Sequence, residues 1–262
     1  MGNARLIGLA ATLTATAVLL TGCSSGESGN SGNDDKAGPD PGRKPGWTHT
    51  DEGKPPAGLA PRTRVDDAEV TGPPLTEERM VSVIPSDTEL PGWRRTAAPA
   101  TTDLAPAART CKGAAWCTDV LRVTTGFFVH DDAGTLRFSV QAYKTGKAAN
   151  AAYPQITART VEAELLPRGV ADTALPVRVG DAATARTGTT RLDGPGSVVV
   201  SVVGSTVVTF HTGGMKHHAK KYTASELAAL GTLIADRSRQ AQQGKPLTAS
   251  LPKNALTYEK RN

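Results

Sequence analysis

Ser197-Val198-Val199-Val200-Ser201-Val202-Val203-Gly204-Ser205-Thr206-Val207-Val208-Thr209-Phe210-His211-Thr212 is the stretch from which the fold is read. β-Branched residues dominate both arms, and Gly204-Ser205 between them suits a two-residue type II′ turn. Pairing outward from that turn places Val198, Val200, Val202, Val207, Thr209 and His211 on one face of a hairpin. Val199, Ser201, Val203, Thr206, Val208 and Phe210 take the other. Both faces are apolar, so one packs on helices as the core. The second is either covered by another element or lines a cleft. The cleft is the candidate ligand site, with Val198, Val200, Val202, Val207, Thr209 and His211 as its floor and Trp116 beside it.

A second hairpin lies upstream, with arms 120–130 and 135–143 around Asp131-Asp132-Ala133-Gly134. Counting outward from a four-residue loop sets Val129 against Leu136 and Phe127 against Phe138. With Val140 these form one apolar face, and Phe128, His130, Arg137 and Ser139 take the other. Between the hairpins, residues 145–166 read as helix, kinked or restarted at Pro154. Residues 168–191 read as two short strands broken at Gly180-Asp181.

Helices flank the strands. Thr76 caps a short one whose first turn is acidic (Glu77, Glu78) and whose apolar stripe is Met80, Val83 and Ile84, stopped by Pro85. Thr223-Ala224-Ser225-Glu226 is a capping box that opens a last helix striped by Leu227, Leu230 and Ile234. Gly244 suits the position just past its end. The sum is an α+β fold with a mostly antiparallel β-sheet packed by helices, over residues 74–243. About 170 residues suffice to bury around 70% of the surface the unfolded chain exposes.

That order of elements resembles the actinobacterial sensor-domain lipoproteins related to the PknH-like extracellular domain. The resemblance rests on the opening helix leading to Leu90-Pro91-Gly92-Trp93, the early cysteines, and Val177-Arg178-Val179-Gly180-Asp181-Ala182. The strands about Gly204 and the closing amphipathic helix complete it. It implies a curved antiparallel sheet with helices and a ligand-binding cleft. It also implies two disulfides, where this chain has cysteines for one. A looser similarity is to the LpqN type of lipoprotein that handles wall lipids.

Residues 1–22 read as a lipoprotein signal peptide. Arg5 precedes an uncharged apolar run from Leu6 to Leu20, about 15 residues and too short to span a bilayer. Leu20-Thr21-Gly22-Cys23 then has the form of a lipobox, with Cys23 the thiol to be acylated. Diacyl or triacyl attachment meets the two-chain requirement for stable anchoring. Residues 24–73 are 40% Gly, Pro and Ser, with a net charge of −3, and read as a disordered tether of roughly 40 Å r.m.s. span. Residues 244–262, net +3, read as a flexible basic tail. Over 262 residues the net charge is +5, too scattered to imply nucleic acid.

Cys111 and Cys117 are the thiols that remain once Cys23 is lipidated, and in an exported chain they are expected to form a structural disulfide. Within residues 74–243 no G-x-S-x-G, H-E-x-x-H, Gly-rich phosphate loop or Cys/His metal spacing occurs, and no cofactor is implied. Lys216-His217-His218-Ala219-Lys220-Lys221 is a poor metal site, because its lysines repel a cation. It is either a solvated loop or a contact for anionic lipid or wall polymer. A hydrolase would need a Ser or Asp beside His211 or His130. Trp93, after Pro91-Gly92, is expected in the core. The expectation is a non-enzymatic, lipid-anchored module on the extracytoplasmic face of the cell membrane, binding a small apolar or lipid ligand as an envelope sensor. The alternative is a carrier or scaffold for wall lipids or an envelope protein partner.

Overall fold

A computed structural model describes residues 75–108, 114–252 and 254–258. The lipobox with Cys23, the tether and Cys111 lie outside the described residues. Twelve elements follow in order: α1 (Glu77–Val83), β1 (Arg94–Arg95), β2 (Ala100–Asp103), α2 (Ala105–Ala108), β3 (Val120–His130), β4 (Gly134–Tyr143), α3 (Gly146–Glu164), β5 (Ala171–Asp172), β6 (Ala182–Thr189), β7 (Pro195–Val203), β8 (Thr206–Gly213) and α4 (Ala224–Gln242). The strands form one eight-stranded sheet in the order β1-β3-β4-β8-β7-β6-β5, with β2 also on β3. Every strand pairing is antiparallel. The fold is α+β.

The β7–β8 hairpin has the expected register, with Val202 opposite Val207 and Val198 opposite His211. Both of its faces are covered. Val199, Val203, Val208 and Phe210 pack with α1 and α4, through Met80, Val83, Leu227, Leu230 and Ile234. Phe128, Leu136 and Phe138 join them, and Phe138 lies 5.8 Å from Phe128 and 6.0 Å from Phe210 between ring centres. On the opposite face Val198, Val200, Val202 and Val207 pack beneath Ala149, Ala152 and Ile156 of α3. The small alanines bring that helix close to the valine surface. α3 runs unbroken through Pro154.

The upstream hairpin is one residue tighter than the sequence suggests. His130 pairs with Gly134, so Phe128 opposes Leu136 and Phe127 opposes Arg137. A one-residue slip exchanges the faces of a strand. Phe128 therefore enters the core, while Phe127 is 45% exposed with the Arg137 guanidinium 4.9 Å from its ring. Gly134 explains the slip: it holds φ +87°, and a Cβ there would sit 2.3 Å from the Gly213 carbonyl oxygen. Only glycine fits that contact. Gly134→Ala should destabilise the domain by about 2 kcal/mol, read as a lowered urea midpoint.

Residues 244–252 and 254–258 are not a loose tail. Leu247, Ala249, Leu251, Leu256 and Tyr258 pack against the core. Gln240 clamps the segment, its Oε1 accepting from the backbone N–H of Thr248 and Ala249 at 3.0 and 3.2 Å. Farther on, Thr257 donates its N–H to Glu226 at 3.0 Å, and the Tyr258 ring stacks on His130 at 4.2 Å. Trp93, 2% exposed as expected of a core anchor, donates its indole N–H to the Tyr258 hydroxyl at 2.7 Å.

Candidate functional site

The expected cleft on the β7–β8 hairpin is filled. Val198, Val200, Val202 and Val207 have no exposed surface and Thr209 is 6% exposed, because α3 occupies the space a ligand would need. Trp116 and His211 are each fastened to that helix at different places. Trp116 accepts the Tyr143 hydroxyl on its carbonyl at 2.7 Å and carries the Arg159 guanidinium 4.2 Å over its ring. His211 meets the last residue of α3, with Nδ1 3.0 Å from Glu164 Oε2.

Around Glu164 there is a charged cluster. Arg137 lies 3.6 Å from its other oxygen. Burial alone would raise the Glu164 pKa, but the His211 hydrogen bond and charge, with Arg137 and Arg191, outweigh this and hold it below its ordinary value. The Nε2 of His211 is buried without a hydrogen-bond partner. The histidine is thus paired with a carboxylate, and among the described residues no serine hydroxyl is hydrogen-bonded to its second nitrogen. Among the described residues no group of three or more His, Cys, Asp or Glu could hold a metal ion. Cys117 is 2% exposed, in the loop that Trp116 pins to α3.

A different hollow is present on the outer side of α4. Ala228, Ala229 and Leu233 form its floor, Pro176 and Val177 one wall, and Ala249 with Pro252 the other. Its volume is about 430 Å³. Thr232 Oγ1, on the same helical face, is buried without a hydrogen-bond partner. Asp236 is the charged group at this groove and lies 3.0 Å from Arg239. One wall belongs to the segment clamped by Gln240, so reading residues 244–262 as loose hid the site. The alternation Leu247, Ala249, Leu251 was the available signal, since it marks an extended segment with one apolar side.

The basic run 216–221 divides in two. Lys216, His217, His218 and Lys221 are exposed. Lys220 turns inward, 3.0 Å from Glu226 Oε1, and donates to the Thr257 carbonyl. Glu226 also accepts from the Thr223 N–H at 2.9 Å, completing the capping box read from sequence. Burial of this carboxylate acts to raise its pKa, but the hydrogen bonds from Thr257 and Thr223 and the charge of Lys220 prevail and lower it to about 2.

No protein-family model matches the chain, and no curated protein matches it. Among solved structures it is similar to the extracellular domain of PknH from Mycobacterium tuberculosis, at 13% identity and a TM-score of 0.43. The match covers 64% of this chain and 99% of that one. The likeness is a distant one of fold. It assigns no residue a role.

Proposed function

We propose that this is a non-enzymatic surface lipoprotein whose domain binds an elongated apolar ligand in the groove between α4 and the clamped segment 244–258. The groove itself carries the reading. Its about 430 Å³ falls within the roughly 300–1,000 Å³ typical of small-molecule sites, and its lining is mostly Ala, Leu, Val and Pro. The Leu20-Thr21-Gly22-Cys23 lipobox supports the location. Among the described residues no helix is long and apolar enough to cross a membrane. An envelope sensor is the role this arrangement suits, with the ligand as its signal.

Native mass spectrometry of the full lipidated chain, purified from its own envelope and paired with organic extraction, tests the ligand. A discrete extractable adduct is expected. Ala229→Trp should abolish it with far-UV circular dichroism unchanged, since a half-buried helix position accepts the larger side chain by filling the groove. An adduct that survives this substitution puts the ligand elsewhere.

The Cys111–Cys117 bridge belongs to the same proposal, because an exported chain meets an oxidising compartment. Alkylation of the denatured chain should label neither cysteine before reduction and both after it. Labelling without reduction would argue against both the bridge and export.

A further inference from the structure

We propose that the sheet end carrying Leu192 and Met215 is a docking tip for an anionic lipid surface, an inference that rests on the chain being membrane-anchored. Four large apolar side chains are exposed among the described residues: Phe127, Val177, Leu192 and Met215. Phe127 lies against Arg137 and Val177 lines the groove. Leu192 and Met215 are left, at 60% and 58% exposure.

These two sit in adjoining loops, joined where Asp193 bridges Met215. Thr190, 8% exposed, ties the loops together: its hydroxyl lies 3.2 Å from the Gly194 carbonyl and 3.3 Å from that of Gly214, and it accepts the Leu192 N–H. A Cβ on Gly194 would stand 2.1 Å from the Gly214 oxygen, so the two backbones touch. The His218 N–H closes the second loop onto the Met215 carbonyl at 2.8 Å. A frame this tight keeps both apolar side chains outward instead of letting them collapse onto the domain.

The flanking residues give the partner its chemistry. Lys216, His217 and His218 are exposed beside these apolar residues, and Arg191, next to Leu192, donates to the Ala163 and Glu162 carbonyls at 3.2 and 3.3 Å. Asp193 is the acidic group within these loops, and Asp131 of the neighbouring turn faces Arg94 at 3.6 Å. Apolar tips beside the Lys216 ammonium and the Arg191 guanidinium match the boundary of a bilayer, where phosphates overlie acyl chains. The 50 residues from 24 to 73 separate Cys23 from the domain, a chain length that permits this end to meet the membrane that holds Cys23.

Amide hydrogen exchange of the full lipidated chain tests this, on phosphatidylcholine vesicles containing phosphatidylglycerol and in detergent micelles. Residues 190–194 and 214–218 should exchange about tenfold more slowly on the vesicles. The double variant Leu192→Asp/Met215→Asp, at exposed positions that leave the fold intact, should return them to the micelle rates. Equal rates in both media, with the protein still floating with the vesicles, overturn the docking tip and leave the anchor standing. Failure to float overturns both. Equal protection on pure phosphatidylcholine overturns the anionic preference. Protection in intact envelope but not on vesicles overturns the proposal in favour of a protein partner.

Discussion

Arg237→Ala should cost the domain about 3–5 kcal/mol, seen as a large fall in the urea midpoint followed by far-UV circular dichroism. Arg237 is 5% exposed, and its guanidinium joins four parts of the chain. It donates through Nε to the Val83 carbonyl at 2.9 Å and through Nη2 to that of Ser82, which satisfies the end of α1. Through Nη1 it meets the Glu89 carboxylate and the Ala249 carbonyl. Removing it strands a partly buried carboxylate and three acceptors together, the situation in which a missing partner costs most. Burial raises the Glu89 pKa, but hydrogen bonds from Ser86 and the pairing with Arg237 outweigh this and leave it lowered. A double-mutant cycle with Glu89→Gln should therefore show a coupling energy of about 1 kcal/mol or more. Additive single losses would mean that the arginine acts through the carbonyls alone.

Glu226→Gln should remove about 3 kcal/mol at neutral pH, and the loss should disappear in acid. The sign follows from a folded pKa of about 2 against an ordinary carboxylate value near 4.3. A carboxyl with a depressed folded pKa contributes stability that is complete above the unfolded value. That contribution is lost as the pH falls through the window between about 4.3 and about 2. Urea unfolding of the two proteins at pH 7 and at pH 2.5 checks this. The curves should lie far apart in the first case and several-fold closer in the second. An equal gap at both pH values would mean that the substituted amide fails as a cap for a steric reason and that charge contributes little.

The β7–β8 register was legible because Gly204-Ser205 fixes the turn and the alternation on either side tolerates no slip. The β3–β4 register was not, although its arms alternate just as clearly. There Gly134 at φ +87° is itself a paired residue, a role set by its contact with Gly213 across the sheet and absent from local pattern. Covering of the valine face by α3 was equally hard to read. That helix is rich in Ala, so its packing side does not stand out in sequence. Beyond Gly244, order comes from distant side chains, Gln240, Glu226 and Arg237, while the composition of the segment itself suggests a loose end. The groove was missed for that reason. Its second wall exists only once the tertiary contacts form.

The clamped carboxyl-terminal segment also sets a timetable. Synthesis delivers a chain from its amino end, so α4 emerges before Ala249, Thr257 and Tyr258. Until they follow, Arg237 lacks its Ala249 acceptor, Glu226 lacks its Thr257 donors, and the Trp93 indole has no Tyr258 hydroxyl to meet. Folding therefore reaches completion only once Tyr258 is in place, and a chain cut short near Gly244 would leave the ribosome as an unfinished core, open to proteases.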